Sequence, residues 1–88
     1  MVSSQRIARQ VGATVLRLRC QRGQAQRQVA RLAGIPRAAL SAFERGQQLP
    51  TAPALARLLA ALNCSENDFS RHFGPFGEVE AIRRRGAL

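Results

Sequence analysis

The segment Gln26–Gly46, QRQVARLAGIPRAALSAFERG, constrains the fold of this chain more than any other. Two short stretches with helical spacing of apolar residues, Gln26–Ala33 and Arg37–Glu44, are separated by three residues that begin with glycine. In the first, Val29, Ala30 and Ala33 share one face; in the second, Leu40 and Phe43 do so at a spacing of three. Gly34 suits a corner that needs a positive φ, Ile35 is its apolar plug, and Pro36 fits a helix start, where a missing N–H costs nothing. The chain therefore has to make two short helices and a tight corner between them.

What surrounds the corner is also helical. Ser3 or Ser4 can cap a first helix reaching about Arg22, with Ile7, Val11, Val15 and Leu18 on one stripe, and Gly23 ends it. After the loop GQQLP, Thr51 is a good N-cap for a helix over Ala52–Leu62, with Pro53 tolerable in its first turn and Leu55, Leu58, Leu59 and Leu62 inward. Asn63 stops it. Ser65 with Asp68 makes a capping-box-like start for a fifth, short helix ending near Phe73. GPFG at 74–77 breaks the pattern, and Glu78–Arg85 is either a last helical turn or two or a frayed end. No segment alternates with a period of two, and no repeat is visible. The expectation is an all-α, five-helix domain over residues 1–73, with 74–88 as a C-terminal extension available for dimerisation or as a tail. At 88 residues and 45% hydrophobic content the chain can bury one small core. With four Phe and neither Trp nor Tyr, that core must be built from Leu, Val, Ile and Ala.

The net charge of +9 is carried by arginine alone, and it is uneven. Arg6, Arg9, Arg17, Arg19, Arg22, Arg27, Arg31 and Arg37 all precede Glu44, and no acid does. Such a segment repels itself unless a polyanion lies against it. A basic half beside a near-neutral half points to one face for nucleic acid and another for something else. A membrane surface would attract the same charge, but the arginine-rich segments lack the apolar face with Trp or Phe that interfacial helices use. No stretch is long enough to span a bilayer and no signal peptide is visible, so a soluble, cytoplasmic protein is expected. Cys20 and Cys64 sit in no metal-ligand spacing and are read as reduced thiols; with His72 the one histidine, no metal site is expected. A single histidine, no phosphate-cradling glycine loop and no supported carboxylate pair also argue against an enzyme, and no cofactor is implied.

Two short helices around a glycine corner form the layout of a helix-turn-helix, whose second helix can enter a DNA major groove. The chain resembles the phage repressor and Cro type of this motif, the XRE type, over about Val11 to Phe69. The resemblance rests on Val11-Gly12 and Leu18-Arg19, Gln26 with Val29-Ala30, Gly34-Ile35, and Leu40. It continues through Phe43-Glu44-Arg45-Gly46 with Pro50, then Leu62 and Phe69. The string FERG with a proline four residues on is its most specific piece. It implies a compact lambda-repressor-like fold, sequence-specific binding of double-stranded DNA, a homodimer on a palindromic operator, and transcriptional control, most often repression. It also implies a partly buried ion pair, here Arg19 with Glu44, the one acid among the first 65 residues. In the same family the residue in the position of Gln26 binds phosphate at the start of helix 2. The chain departs from the pattern at Gln24 and Glu66, where apolar residues are usual.

Arg27 and Arg37 break a local rule: each lies in the first turn of its helix, where a cation opposes the macrodipole at a cost of about 0.3–1 kcal/mol. Broken twice on one motif, the rule points to function. Arg37, Ala38, Ser41 and Ala42 are the residues expected to face the groove. Of these Arg37 alone can make a bidentate contact to guanine. Ser41 does not discriminate, and Ala38 and Ala42 can do no more than contact a thymine methyl or allow close approach. Arg45, Gln47 and Gln48 are expected to hold phosphates, positioning without specifying. Arg6 and Arg9 read as an extension of helix 1 more readily than as a separate arm along the duplex. Phe73, Phe76 and Ile82 are candidates for a dimer interface, and Arg83–Arg85 for a tail or a phosphate clamp. A second reading is a regulator of the antitoxin type, binding a protein partner with the same fold and with residues 74–88 ordering on that partner.

Overall fold

The computed structural model describes residues 4–71, which form five helices and, among the described residues, no strand. They are α1 (Ser4–Gln21), α2 (Gln26–Ala33), α3 (Arg37–Glu44), α4 (Ala52–Ala61) and α5 (Glu66–Arg71). The boundaries of α2 and α3 fall where the apolar spacing puts them. α1 and α4 each stop one residue short of the sequence expectation, and Pro36 is the residue before α3 rather than its first: at φ −63° and ψ 143° it is extended, and its carbonyl accepts from Ala39 and Leu40. α5 closes at Arg71, before Phe73, which lies outside the described residues along with Phe76, Ile82 and Arg83–Arg85.

α1 packs on α3, and α2 packs on both α3 and α4. The seam is aliphatic. Val11, Val15 and Leu18 of α1 meet Val29, Ala30 and Ala33 of α2, Leu40 and Phe43 of α3, Leu58 and Leu59 of α4, and then Leu62, Cys64 and Phe69. Ile7 continues the α1 stripe and is partly buried against it, so the basic N-terminal stretch from Ser4 is helix, continuous with the rest of α1. Leu18, Leu40, Leu58 and Leu62 are fully enclosed; each such side chain contributes roughly 1.5–3 kcal/mol by leaving water.

Two glycines set how closely the motif is built. Gly34 has φ 69° and ψ 34°; its N–H donates to the Arg31 carbonyl, and that of Ile35 reaches back to Ala30 at 3.0 Å. That doubled bond closes α2 and turns the chain, while half-buried Ile35 plugs the corner. Gly12 serves by absence. A Cβ there would overlap the carbonyl oxygen of Phe43, so α1 and α3 touch backbone to backbone at this point. Any side chain would force α3 outward.

Candidate nucleic-acid interface

The one acid before residue 66 is the hub of the motif. Glu44, the last residue of α3, is buried, and its side chain is 4% exposed. Arg19, near the end of α1, meets it with two bonds: Nε donates to Oε2 at 2.7 Å and Nη2 to Oε1 at 3.1 Å. The remaining nitrogen, Nη1, donates to the carbonyl of Gln24 at 2.9 Å, tying down the loop that leads into α2. The bond to Glu44 raises the Arg19 pKa further above its already high ordinary value, against the opposing effect of burial. A bidentate, hydrogen-bonded pair of this kind holds its charges with little net energetic gain, but removing one partner strands the other.

The network extends outward. Gln26, the first residue of α2, donates from Nε2 to Oε1 of Glu44 at 2.9 Å. Its Oε1 accepts from Nε of Arg37, the first residue of α3, at 3.2 Å. A continuous chain of bonds therefore runs from the loop carbonyl of Gln24 through Arg19, Glu44 and Gln26 to the exposed Arg37. The family resemblance assigns Gln26 an external contact; in the structure both ends of its amide are engaged within the chain, one by Glu44 and one by Arg37. Arg37 uses only Nε in this bond, and its two terminal nitrogens are not part of it.

Neither α2 nor α3 opens with a side-chain cap. Ala25 precedes α2 at φ −75° and ψ 152°, and no side chain satisfies the first N–H groups; the same holds at Pro36 before α3. Neither helix has an acid in its first turn. Uncapped N–H groups at the positive end of a helix are an anion site in waiting. Ala25, Gln26, Arg27, Gln28, Arg31 and Arg37 line a single open basin over the start of α2. Arg31 belongs to it although no local pattern singles it out from the other arginines.

On α3 itself, Arg37 and Ala38 are exposed and Ser41 and Ala42 half-exposed, so the four residues expected to face a groove share the outer side of that helix. Arg27, Arg45, Gln47 and Gln48 are exposed as well, and Arg45 Nη2 donates to Gln47 Oε1 at 3.1 Å. Arg57 is a contributor that sequence reasoning passed over: from α4 its Nε donates to the Ala33 carbonyl at 3.1 Å, capping the C-terminus of α2. Its partner lies 24 residues away, so no local pattern marks it. The departure at Gln24 leaves a trace, because its Oε1 is buried without a hydrogen-bond partner.

A helix-turn-helix family profile matches residues 15–69, more than half of the chain. The chain belongs to the XRE-type helix-turn-helix family. Members of this family are DNA-binding regulators, and the all-α architecture with its uncapped α2 and α3 agrees with that assignment. No curated protein matches the chain. Among the described residues no helix of this regulator is long and apolar enough to cross a membrane, and no cluster of His, Cys, Asp and Glu could hold a metal.

Proposed function

We propose that this XRE-type protein is a sequence-specific regulator of transcription, a repressor that binds double-stranded DNA as a homodimer on a palindromic operator. The observation that carries the reading is the pairing of two uncapped helix starts with arginines at the same place. α2 and α3 each begin with free backbone donors and a first-turn arginine, Arg27 and Arg37, an arrangement that is locally unfavourable until an anion arrives. In the proposed complex the phosphate backbone lies over the basin at the start of α2, and α3 enters the major groove.

In this complex Arg27, Arg45, Gln47 and Gln48 hold phosphates. Arg37 reads a guanine with its terminal nitrogens, while Ala38, Ser41 and Ala42 form a close-fitting, weakly discriminating floor. Gln26 contributes less by direct contact than by orienting Arg37, since its amide already bridges Glu44 and Arg37. With so small a set of base-reading side chains, specificity also depends on half-site spacing and on DNA shape. The dimer surface is proposed to include Phe73, Phe76 and Ile82.

Selection of bound sequences from a random duplex pool should return two inverted half-sites with fixed spacing. Arg37→Ala should then cut the preference for the selected site over scrambled DNA by roughly 5- to 150-fold, equivalent to about 1–3 kcal/mol. Equal preference in wild type and variant would overturn the assignment of Arg37. A single, unrepeated site in the selection would overturn the dimer.

A further inference from the structure

The N-terminal half of α1 precedes the segment matched by the family profile, and it forms one wall of an open groove. That groove, about 530 Å³ in volume, is lined by Gln5, Ala8 and Arg9 from α1 and by Arg45, Gly46, Gln47, Gln48 and Leu49 after α3. No acid lines it. Two guanidinium groups and three primary amides do, which makes its polar character dominated by donors. The bond from Arg45 occupies one of the two lone pairs of Gln47 Oε1, and the NH₂ of that amide takes no part in it. Donors without a counter-charge suit an anionic ligand rich in oxygen acceptors.

Arg9 is exposed, yet its root is fixed. A Cβ on Gly46 would lie 2.6 Å from Arg9 Cγ and 2.8 Å from Arg9 Cα, so the start of the Arg9 side chain rests directly on the bare glycine. This close approach locks Arg9 in register with Arg45, Gln47 and Gln48, the residues proposed above to hold phosphates.

We propose that this groove is a further seat for a DNA phosphodiester, with Arg9 as its principal added cation. The N-terminal half of α1 then lies along the backbone beside the loop that follows α3. The inference rests on the DNA-binding reading and adds to it a contact outside the matched family segment. Arg9 positions the duplex without reading bases, so its effect is the same on every sequence.

The test is a salt titration of binding to the selected site and to scrambled duplex, for wild type, Arg9→Gln and Arg17→Gln. Arg17 is exposed on the same helix but does not line the groove. Thermal unfolding of the three proteins serves as a check on folding. One lost phosphate contact should make the slope of log K against log salt shallower by about one, equally on both duplexes, for Arg9→Gln. Arg17→Gln should change it distinctly less. Two results overturn the inference while leaving the regulator reading intact: an Arg9→Gln slope equal to wild type, or equal changes in the two variants, which would mean diffuse charge rather than a seat. A wild-type protein that binds no duplex at all overturns both.

Discussion

α2 and α3 begin without side-chain caps and carry an arginine in the first turn, whereas α4 and α5 begin on hydroxyl caps. Thr51 Oγ1 accepts from the Ala54 N–H at 3.2 Å, and Ser65 Oγ accepts from the Asp68 N–H at 3.1 Å. α5 adds Glu66 and Asp68 in its first turn, the sign that the macrodipole favours. The same physics is thus completed inside the chain at α4 and α5 and left open at α2 and α3. Ala25 makes the contrast sharp. Its backbone already has the extended conformation of a capping residue and lacks only the oxygen. α2 and α3 forgo local stability that α4 and α5 take, and an external polyanion is what would recover it.

The comparison can be broken first at its hinge. Glu44→Ala leaves the guanidinium of Arg19, 15% exposed, without its carboxylate and frees Gln26 and Arg37 from their anchor. A loss of about 3 kcal/mol in urea unfolding is expected, toward the low end for a broken buried pair because Arg19 keeps some water and its bond to Gln24. A loss below about 1 kcal/mol would show that the hub does not hold the motif together.

The next substitution separates stability from binding. Ala25→Asp supplies α2 with the missing cap and should raise stability by about 1 kcal/mol. The same carboxylate would face phosphate, so DNA affinity at low salt should fall by roughly tenfold, about 1.4 kcal/mol. Both changes in one direction would contradict the division between the two pairs of helices.

The smallest expected effect lies at the other end. Thr51→Ala removes a cap and should cost about 1 kcal/mol of stability, seen as a lower Tm, with DNA affinity unchanged under conditions where both proteins are fully folded. Weakened binding there would place α4 at the interface after all.

How legible the molecule is depends on how local the signal is. α2 and α3 could be read to the residue because Gly34 punctuates them and Val29, Ala30, Ala33, Leu40 and Phe43 keep strict helical spacing on either side. Thr51 and Ser65 were equally plain, since a cap and its N–H partner sit three residues apart. The contact of Arg19 with Glu44 came from family resemblance, because nothing in the spacing links residues 25 apart. What no local pattern could supply were the additions from elsewhere in the fold. Gln26 reaches Glu44 across 18 residues, Arg57 reaches the end of α2 from α4, and the root of Arg9 settles on Gly46. Phe73, Phe76 and Ile82 stand where the sequence left them, as a proposal.

The lone carboxylate at the end of α3 has a consequence for any attempt to retarget this protein. Because Gln26 spans from it to Arg37, the leading arginine of α3, that arginine is also part of the joinery between helices. On the proposed reading, grafting a different residue at position 37 would change the base contact and break the bond to Gln26 in the same stroke. A redesigned reader would need a companion change at position 26 to re-seat its new side chain.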